Sequence, residues 1–566
     1  MEFDDVFKYI GEIGFYQIIA FLTLGAGEFF GVEALVMNFV GDKQDHWCNV
    51  KELSGLSFER QKLIAIPKIT ESGSSKLVNS KCDMFPLNYS QFSFDDLLRW
   101  NDSDRRRVES MFPNKNSYIS CNDGWVFDQG LLLSTIASKW NLVCKKSWMV
   151  RLTSTIYMFG RFFGAISCGV LSDKIGRKYT VIIYLFFKIG GGFLATYAPN
   201  YPLFCIGRYI IAIGTTGSNL AAYVYLSEIT GKSYRAAIGV TWQMLFAFGY
   251  ATLPGIAFFL RDHVRLQLVI TAPAIILFGY FFFMDESPRW LISQGRFEEA
   301  KQIVEKIATI NRKQLPEDLN FSHPASDDKE KVMETRKGTV KDILVYPNLR
   351  KKTLILCFIW FTCSLMYYGL SLNIGTIAGS IYLNTFLLGI VEVPALTLGI
   401  YLMGRVGRKP TVASACLFAG LSGFILIPLI LTDAPSASRT AMSILGKASI
   451  SMAFAAIYVY TVELMPTGVR NVGIGFTSMN ARIAGMAAPY VGGQLSDIWK
   501  PFPTTIFGVF ATGTGILTLL LPETLNKTLP ETIEEGESFG KKVKKSQVED
   551  ITGKQAEANL KLEEKY

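Results

Sequence analysis

Six ionisable side chains stand inside long apolar stretches of this 566-residue sequence: Glu28, Glu33, Arg161, Lys188, Glu392 and Arg482. At the middle of a membrane helix each costs at least ~2.5–3.5 kcal/mol unless it gains a partner, a watery cavity or a task. A guanidinium fork matches a carboxylate, an acid draws a cation, and aromatic faces hold a quaternary ammonium. Arg482 and Glu392 are therefore the first candidates for contact with a charged ligand; one fork and one acid in a shared cavity suit a zwitterion. Trp360 and Tyr367, seven residues apart on one helix face, are the aromatic candidates, with Gln243 and Phe246 beside them. The competing reading is that Glu392 and Arg482 only hold helices together and that the aromatics pack or face lipid. Arg161 is expected to pair with Glu28 or Glu33, and both Arg161 and Glu33 also count as candidate binding residues. Lys188 is expected to snorkel or pair locally.

The elements that must position these residues are membrane helices. Apolar residues make up 49% of the chain and gather into runs of about 20, the length that crosses a bilayer. Twelve spans are predicted, at 15–39, 147–170, 179–198, 202–226, 238–260, 266–284, 352–375, 378–402, 411–432, 440–462, 471–493 and 503–521. At 1.5 Å per residue, Arg161, Glu392 and Arg482 lie about 17–18 Å from the basic ends of their helices, near the midplane. The N-terminal acids and the lack of a small-residue cleavage site argue against a removable signal peptide.

The net charge of +9 invites a nucleic-acid reading, but the bases collect in the Asp173–Lys178 loop, the 285–351 segment and the tail after Leu521. Positive-inside topology explains them: those segments and both termini are expected in the cytosol. Between the first two spans lies a polar loop, 40–146, that holds Cys48, Cys82, Cys121 and Cys144 and the sequons at Asn88 and Asn101. Two disulfides, of open connectivity, and glycosylation in an oxidising extracellular space are expected. No ligand spacing among the three His and nine Cys suggests a metal site. No Walker motif, Gly-x-Ser-x-Gly elbow or zincin helix suggests an enzyme or a cofactor.

An internal repeat organises the chain. Gly176-Arg177-Lys178 recurs as Gly407-Arg408-Lys409, Glu228 and Arg235 as Glu463 and Arg470, and Glu286 as Glu523. The predicted organisation is an N-terminal six-helix half (1–284), a linker (285–351) with a helix at Phe297–Ile310 and a polar stretch near Phe321–Lys337, a C-terminal half (352–521) and a charged tail (522–566). Parallel repeats of this kind mark alternating-access carriers.

The run Gly169-Val170-Leu171-Ser172-Asp173-Lys174-Ile175-Gly176-Arg177-Lys178 resembles the loop signature of the major facilitator superfamily. There the glycines and the Asp/Arg pair are expected to lock helix ends, with a weaker lock in the second half, where Gly404 replaces the acid. Within that superfamily the chain resembles the organic cation/anion/carnitine transporters over essentially its whole length. The carrying residues are Trp140-Asn141-Leu142-Val143-Cys144, Asp285-Glu286-Ser287-Pro288-Arg289-Trp290-Leu291, Glu463-Leu464-Met465-Pro466-Thr467-Gly468-Val469-Arg470-Asn471 and Leu521-Pro522-Glu523-Thr524. The resemblance implies an all-α membrane protein of two six-helix bundles that carries small organic ions across the plasma membrane. It also implies that Arg482 stands where anion and carnitine carriers have arginine, that Glu392 follows the cation and carnitine pattern, and that Leu396 replaces the lysine of typical anion carriers. Cations or carnitine-like zwitterions are the expected substrates, and organic anions the alternative. Sugars and a non-transporting receptor role are weaker contenders. Sodium or proton coupling and oligomeric state stay open.

Overall fold

The computed structural model describes residues 3–42, 44–70, 77–112, 117–316, 339–372 and 379–540. Helices stand at all twelve positions where spans are predicted. In the first half they are α1 (Phe15–Phe29), α2 (Trp148–Ile175), α3 (Arg177–Thr196), α4 (Tyr201–Glu228), α5 (Lys232–Phe259) and α6 (His263–Thr271). In the second they are α7 (Pro347–Leu372), α8 (Ile381–Arg405), α9 (Arg408–Leu431), α10 (Ser436–Leu464), α11 (Arg470–Pro489) and α12 (Phe502–Thr518). Among the described residues, nine of the twelve, some counted with their short continuations, are long and apolar enough to cross a membrane. The other three are α4 and α11, which are richer in small and polar residues, and α12, which is shorter. Large apolar side chains such as Phe259 (84% exposed) and Ile276 (79%) stand on the outer surface, where only lipid would cover them. The chain is a multi-pass membrane protein.

Breaks in the helices have local causes. Pro273 withholds the amide that the carbonyl of residue 269 would receive, and α6 continues as a 3-10 turn (Ala272–Gly279) and a short helix (Tyr280–Phe283). Pro394 does the same just beyond the turn of α8 at Val391, so Glu392 opens the second segment of that helix. α1 passes through a 3-10 turn at Phe30–Ala34 before Met37–Val40. α3 and α4 pack closely because Gly191, Gly207 and Gly214 carry no side chain; a Cβ at Gly214 would lie 2.2 Å from the Lys188 amide nitrogen.

Between α1 and α2 a small domain folds on its own apolar core of Trp47, Leu53, Ile64, Ile66 and Leu97. Three antiparallel pairs frame it: β1 (His46–Cys48) with β6 (Trp125–Phe127), β2 (Lys68–Thr70) with β3 (Leu77–Asn79), and β4 (Asp83–Met84) with β5 (Ile119–Ser120). Disulfides join Cys48 to Cys121 and Cys82 to Cys144. His46 lies within ligand distance of Cys82 and Cys144, but both sulfurs are committed to that disulfide. Asn88 and Asn101 are exposed, and each side chain caps a short helix. The linker helix forms at Phe297–Ile310. The predicted polar stretch Phe321–Lys337 and the tail beyond residue 540 lie outside the described residues.

Candidate functional site

The repeat anchors, scattered in sequence, meet at one end of each half. In the first half Arg177 reaches Glu228 at 2.8 Å, and the Glu286 carboxylate accepts the amides of Arg177 (2.7 Å) and Lys178 (3.3 Å) at the start of α3. In the second half Arg408 reaches Glu463 at 2.8 Å, and Glu523 accepts the amides of Arg408 (2.9 Å) and Lys409 (3.0 Å) at the start of α9. A carboxylate on a helix N-terminus satisfies orphan N–H groups and complements the helix dipole. Gly176 (φ 95°) and Gly407 (φ 116°) make both turns possible, since a Cβ at either would strike the glutamate. The balance differs slightly: burial raises the Glu286 carboxyl above its ordinary range. At Glu523 burial pushes the same way, but the amides of Leu525, Arg408, Thr524 and Lys409 overcome it and hold the group low.

Three details depart from expectation. The second lock is not missing its main contact: Asp173 meets Arg177 at 3.3 Å, yet its side chain is 81% exposed, so Gly404 forgoes only a solvated pair. Gly169 lies within α2 with open space around it, so it is no turn residue. Arg235 and Arg470 brace the bends before α5 and α11 by donating to the carbonyls of Ser227 and Thr230 and of Met465, respectively.

At the midplane some charges form buried ion pairs, and others have no salt bridge among the described residues. Glu33 does not pair with Arg161; Arg208 of α4 takes it at 2.8 Å, Gln267 donates to it, and all three are buried. Glu392 pairs with Lys447 of α10 at 2.9 Å and accepts from the Tyr367 hydroxyl at 3.2 Å, while Lys447 lies over the Tyr367 ring and donates to Ser371. Lys188 does not snorkel. It is buried and donates to the Gly27 carbonyl. Glu28 lies in the field of Arg161 and Lys188.

Arg161 donates to the Tyr368 hydroxyl across the two halves. Arg482, half-buried, bonds only its own helix among the described residues, at the Ser478 carbonyl and hydroxyl (both 3.1 Å), and lies near Tyr458, Tyr368 and Arg161. Trp360 is fully buried behind Tyr458, ring centroids 4.4 Å apart, with its N–H on Thr461. Phe246 and Gln243 are half-buried on α5, and Phe246 packs against the cores of both halves.

Sequence reasoning missed Arg208, Lys447, Tyr368 and Tyr458. Arg208 and Lys447 were open to the same cost argument as the six residues it weighed.

Contacts that cross between the halves cluster on the small-domain side of Arg161. Asn38 donates to the Ser371 carbonyl (2.7 Å), Arg151 to Gly493 (3.2 Å), Thr155 to Met486 (2.9 Å) and Tyr382 to Leu131 (3.0 Å).

Residues 107–535 match the family described as sugar (and other) transporter. The organic cation transporter protein of Drosophila melanogaster is 34% identical over 548 residues, covering 96% of each chain. The human organic cation/carnitine transporter 2 is 33% identical over 537 residues, covering 94% of each. The chain belongs to the organic cation/anion/carnitine transporter family. Its fold is that of the major facilitator superfamily: the inward-open xylose transporter XylE from E. coli superposes with a TM-score of 0.57 at 15% identity, covering 93% of this chain and 99% of that one. Family membership makes the midplane, with the locks at one end and the closed contacts at the other, the region where a carried ion would bind.

Proposed function

We propose that this protein is a plasma-membrane carrier of small organic zwitterions or cations, carnitine-like in charge pattern, working by alternating access between two six-helix halves at 1–284 and 352–521. The observation that carries the reading is Arg482. Among the described residues it has no carboxylate partner, although a cation at this depth costs several kcal/mol unless compensated. A substrate carboxylate supplies that compensation through the guanidinium fork, and the aromatic face of Tyr458 receives the onium end. The relatives, an organic cation transporter and an organic cation/carnitine transporter, support the substrate class. The small domain lies outside the cell and both termini inside, which agrees with the disulfides, the exposed sequons and the basic lock-side loops. On this reading the contacts between the halves close the outer side of the carrier, and the two locks brace the helix ends in each half.

A second reading, an organic anion carrier, draws on one observation: Lys447 pairs with Glu392, whereas Arg482 has no carboxylate partner among the described residues and lies near a second cation, Arg161. Uptake of carnitine, tetraethylammonium and para-aminohippurate in expressing cells, with and without sodium, separates the two. Carnitine or tetraethylammonium uptake is expected, and uptake of para-aminohippurate alone would transfer the protein to the anion reading. Loss of uptake without sodium would add ion coupling.

A further inference from the structure

A groove of about 670 Å³ opens sideways between α1 and the continuation of α6, on the lock side of the first half. Its α1 wall runs from Tyr16 to Ala26, a rise of about 15 Å of helix. That is half of the ~30 Å hydrocarbon core, the depth of one leaflet. The hydroxyls that border it are already used: Tyr280 donates to the Thr23 carbonyl, and Tyr16 bonds Tyr225 and Asp285. What remains for an occupant is an apolar trough. Its outer rim, Ile276 and Phe283, is about four-fifths exposed toward the bilayer.

The mouth is basic. Lys306 of the Phe297–Ile310 helix lines it with its side chain half exposed, bridged to Asp285 at 2.7 Å. Asn311 caps the start of α1 by accepting the Tyr16 amide (2.9 Å), which brings the exposed Arg312 and Lys313 to the same helix end. The nearby acids are Asp285, already bridged, the exposed Glu305, and Glu12, which lies between Ile10 and Gly14 with one carboxylate oxygen buried. The cavity therefore combines a one-leaflet apolar trough with Lys306 at its mouth, and the exposed Arg312 and Lys313 follow it on the same segment.

We propose that this groove is a binding site for an anionic phospholipid of the cytosolic leaflet, one acyl chain lying against α1 and the phosphate meeting Lys306 beside Arg312 and Lys313. The transported ion is a poor fit, because the groove opens to lipid and its lining is mostly apolar, with its hydroxyls already bonded.

The full-length protein, purified in detergent, is titrated with phosphatidylserine or phosphatidylcholine of identical chains; bound lipid is counted by native mass spectrometry and thermal unfolding is followed in parallel. A basic side chain near an anionic headgroup favours it by about fivefold in affinity. Wild type should therefore retain phosphatidylserine about fivefold better than phosphatidylcholine and unfold at a higher temperature with it. Lys306→Gln should keep the chain but lose most of that preference. Ala20→Phe and Gly279→Leu fill the trough from opposite walls, Gly279 having only Phe283 within 4 Å of a new Cβ, so either variant serves if the other fails to fold. Each should abolish retention. Equal retention of the two lipids by wild type, retention that survives filling, or a preference that Lys306→Gln leaves intact overturns the proposal. So does a dimer that Ala20→Phe disperses, which would make the groove a contact between copies.

Discussion

At the lock end the halves repeat one another, with Arg177 on Glu228 and Arg408 on Glu463, each at 2.8 Å, and a glutamate seated on the following helix in both. At the midplane they do not repeat. The first half buries Glu33 against Arg208 from α4, the second buries Glu392 against Lys447 from α10, and Arg161 and Arg482 stand between them without a salt-bridged acid among the described residues. A lock braces helix ends, and the same geometry serves any cargo, so both halves keep it. A region that bound an asymmetric ion would need charges that differ between the halves. On the proposed reading, the paired charges act as scaffold and Arg482 is left for substrate.

The buried pairs offer the largest effect. Removing one partner of such a pair leaves an uncompensated charge and costs about 3–5 kcal/mol, whereas replacing both with apolar groups of similar size is often neutral. Lys447→Met or Glu392→Gln alone should sharply reduce the folded, surface-expressed fraction, and the double variant should recover it with uptake intact. A double variant that reaches the surface but transports nothing would return Glu392 to the substrate site.

The locks come next. Arg177→Ala and Arg408→Ala should lower thermal stability by similar amounts, about 2–3 kcal/mol each, because each abandons a largely buried carboxylate. Asp173→Ala should cost less than about 1 kcal/mol, as expected for a solvated pair. A large loss at Asp173, measured by the same thermal unfolding, would break the equivalence of the two ends and make Gly404 a real weakness of the second.

The sequence carries the locks well because their residue types are rare in membrane helices and recur at nearly constant offsets. The repeat that aligns Glu228 with Glu463 and Glu286 with Glu523 already implies that they meet equivalent partners. It carries the spans for a similar reason, with α4 and α11 recognisable by length and position more than by hydropathy. The partners of the midplane charges were harder to see. Neither Arg208 and Glu33, 175 residues apart, nor Lys447 and Glu392 show any spacing that announces contact, because bundle packing alone brings them together. Trp360 and Tyr367 share a face as predicted, but that face is the one packed behind Tyr458 and beneath Lys447. The adjacent Tyr368, about 100° further round the helix, reaches the other half. Heptad spacing identifies a shared face without saying what it meets.

The most direct test is uptake of carnitine and of tetraethylammonium by wild type and by Arg482→Asp at matched surface expression. Arg482 as the carboxylate anchor requires carnitine uptake to fall by tenfold or more, about 1.4 kcal/mol or more of lost charge-assisted bonding, while tetraethylammonium uptake is spared or rises. An equal fall for both would make Arg482 a structural residue and contradict the account.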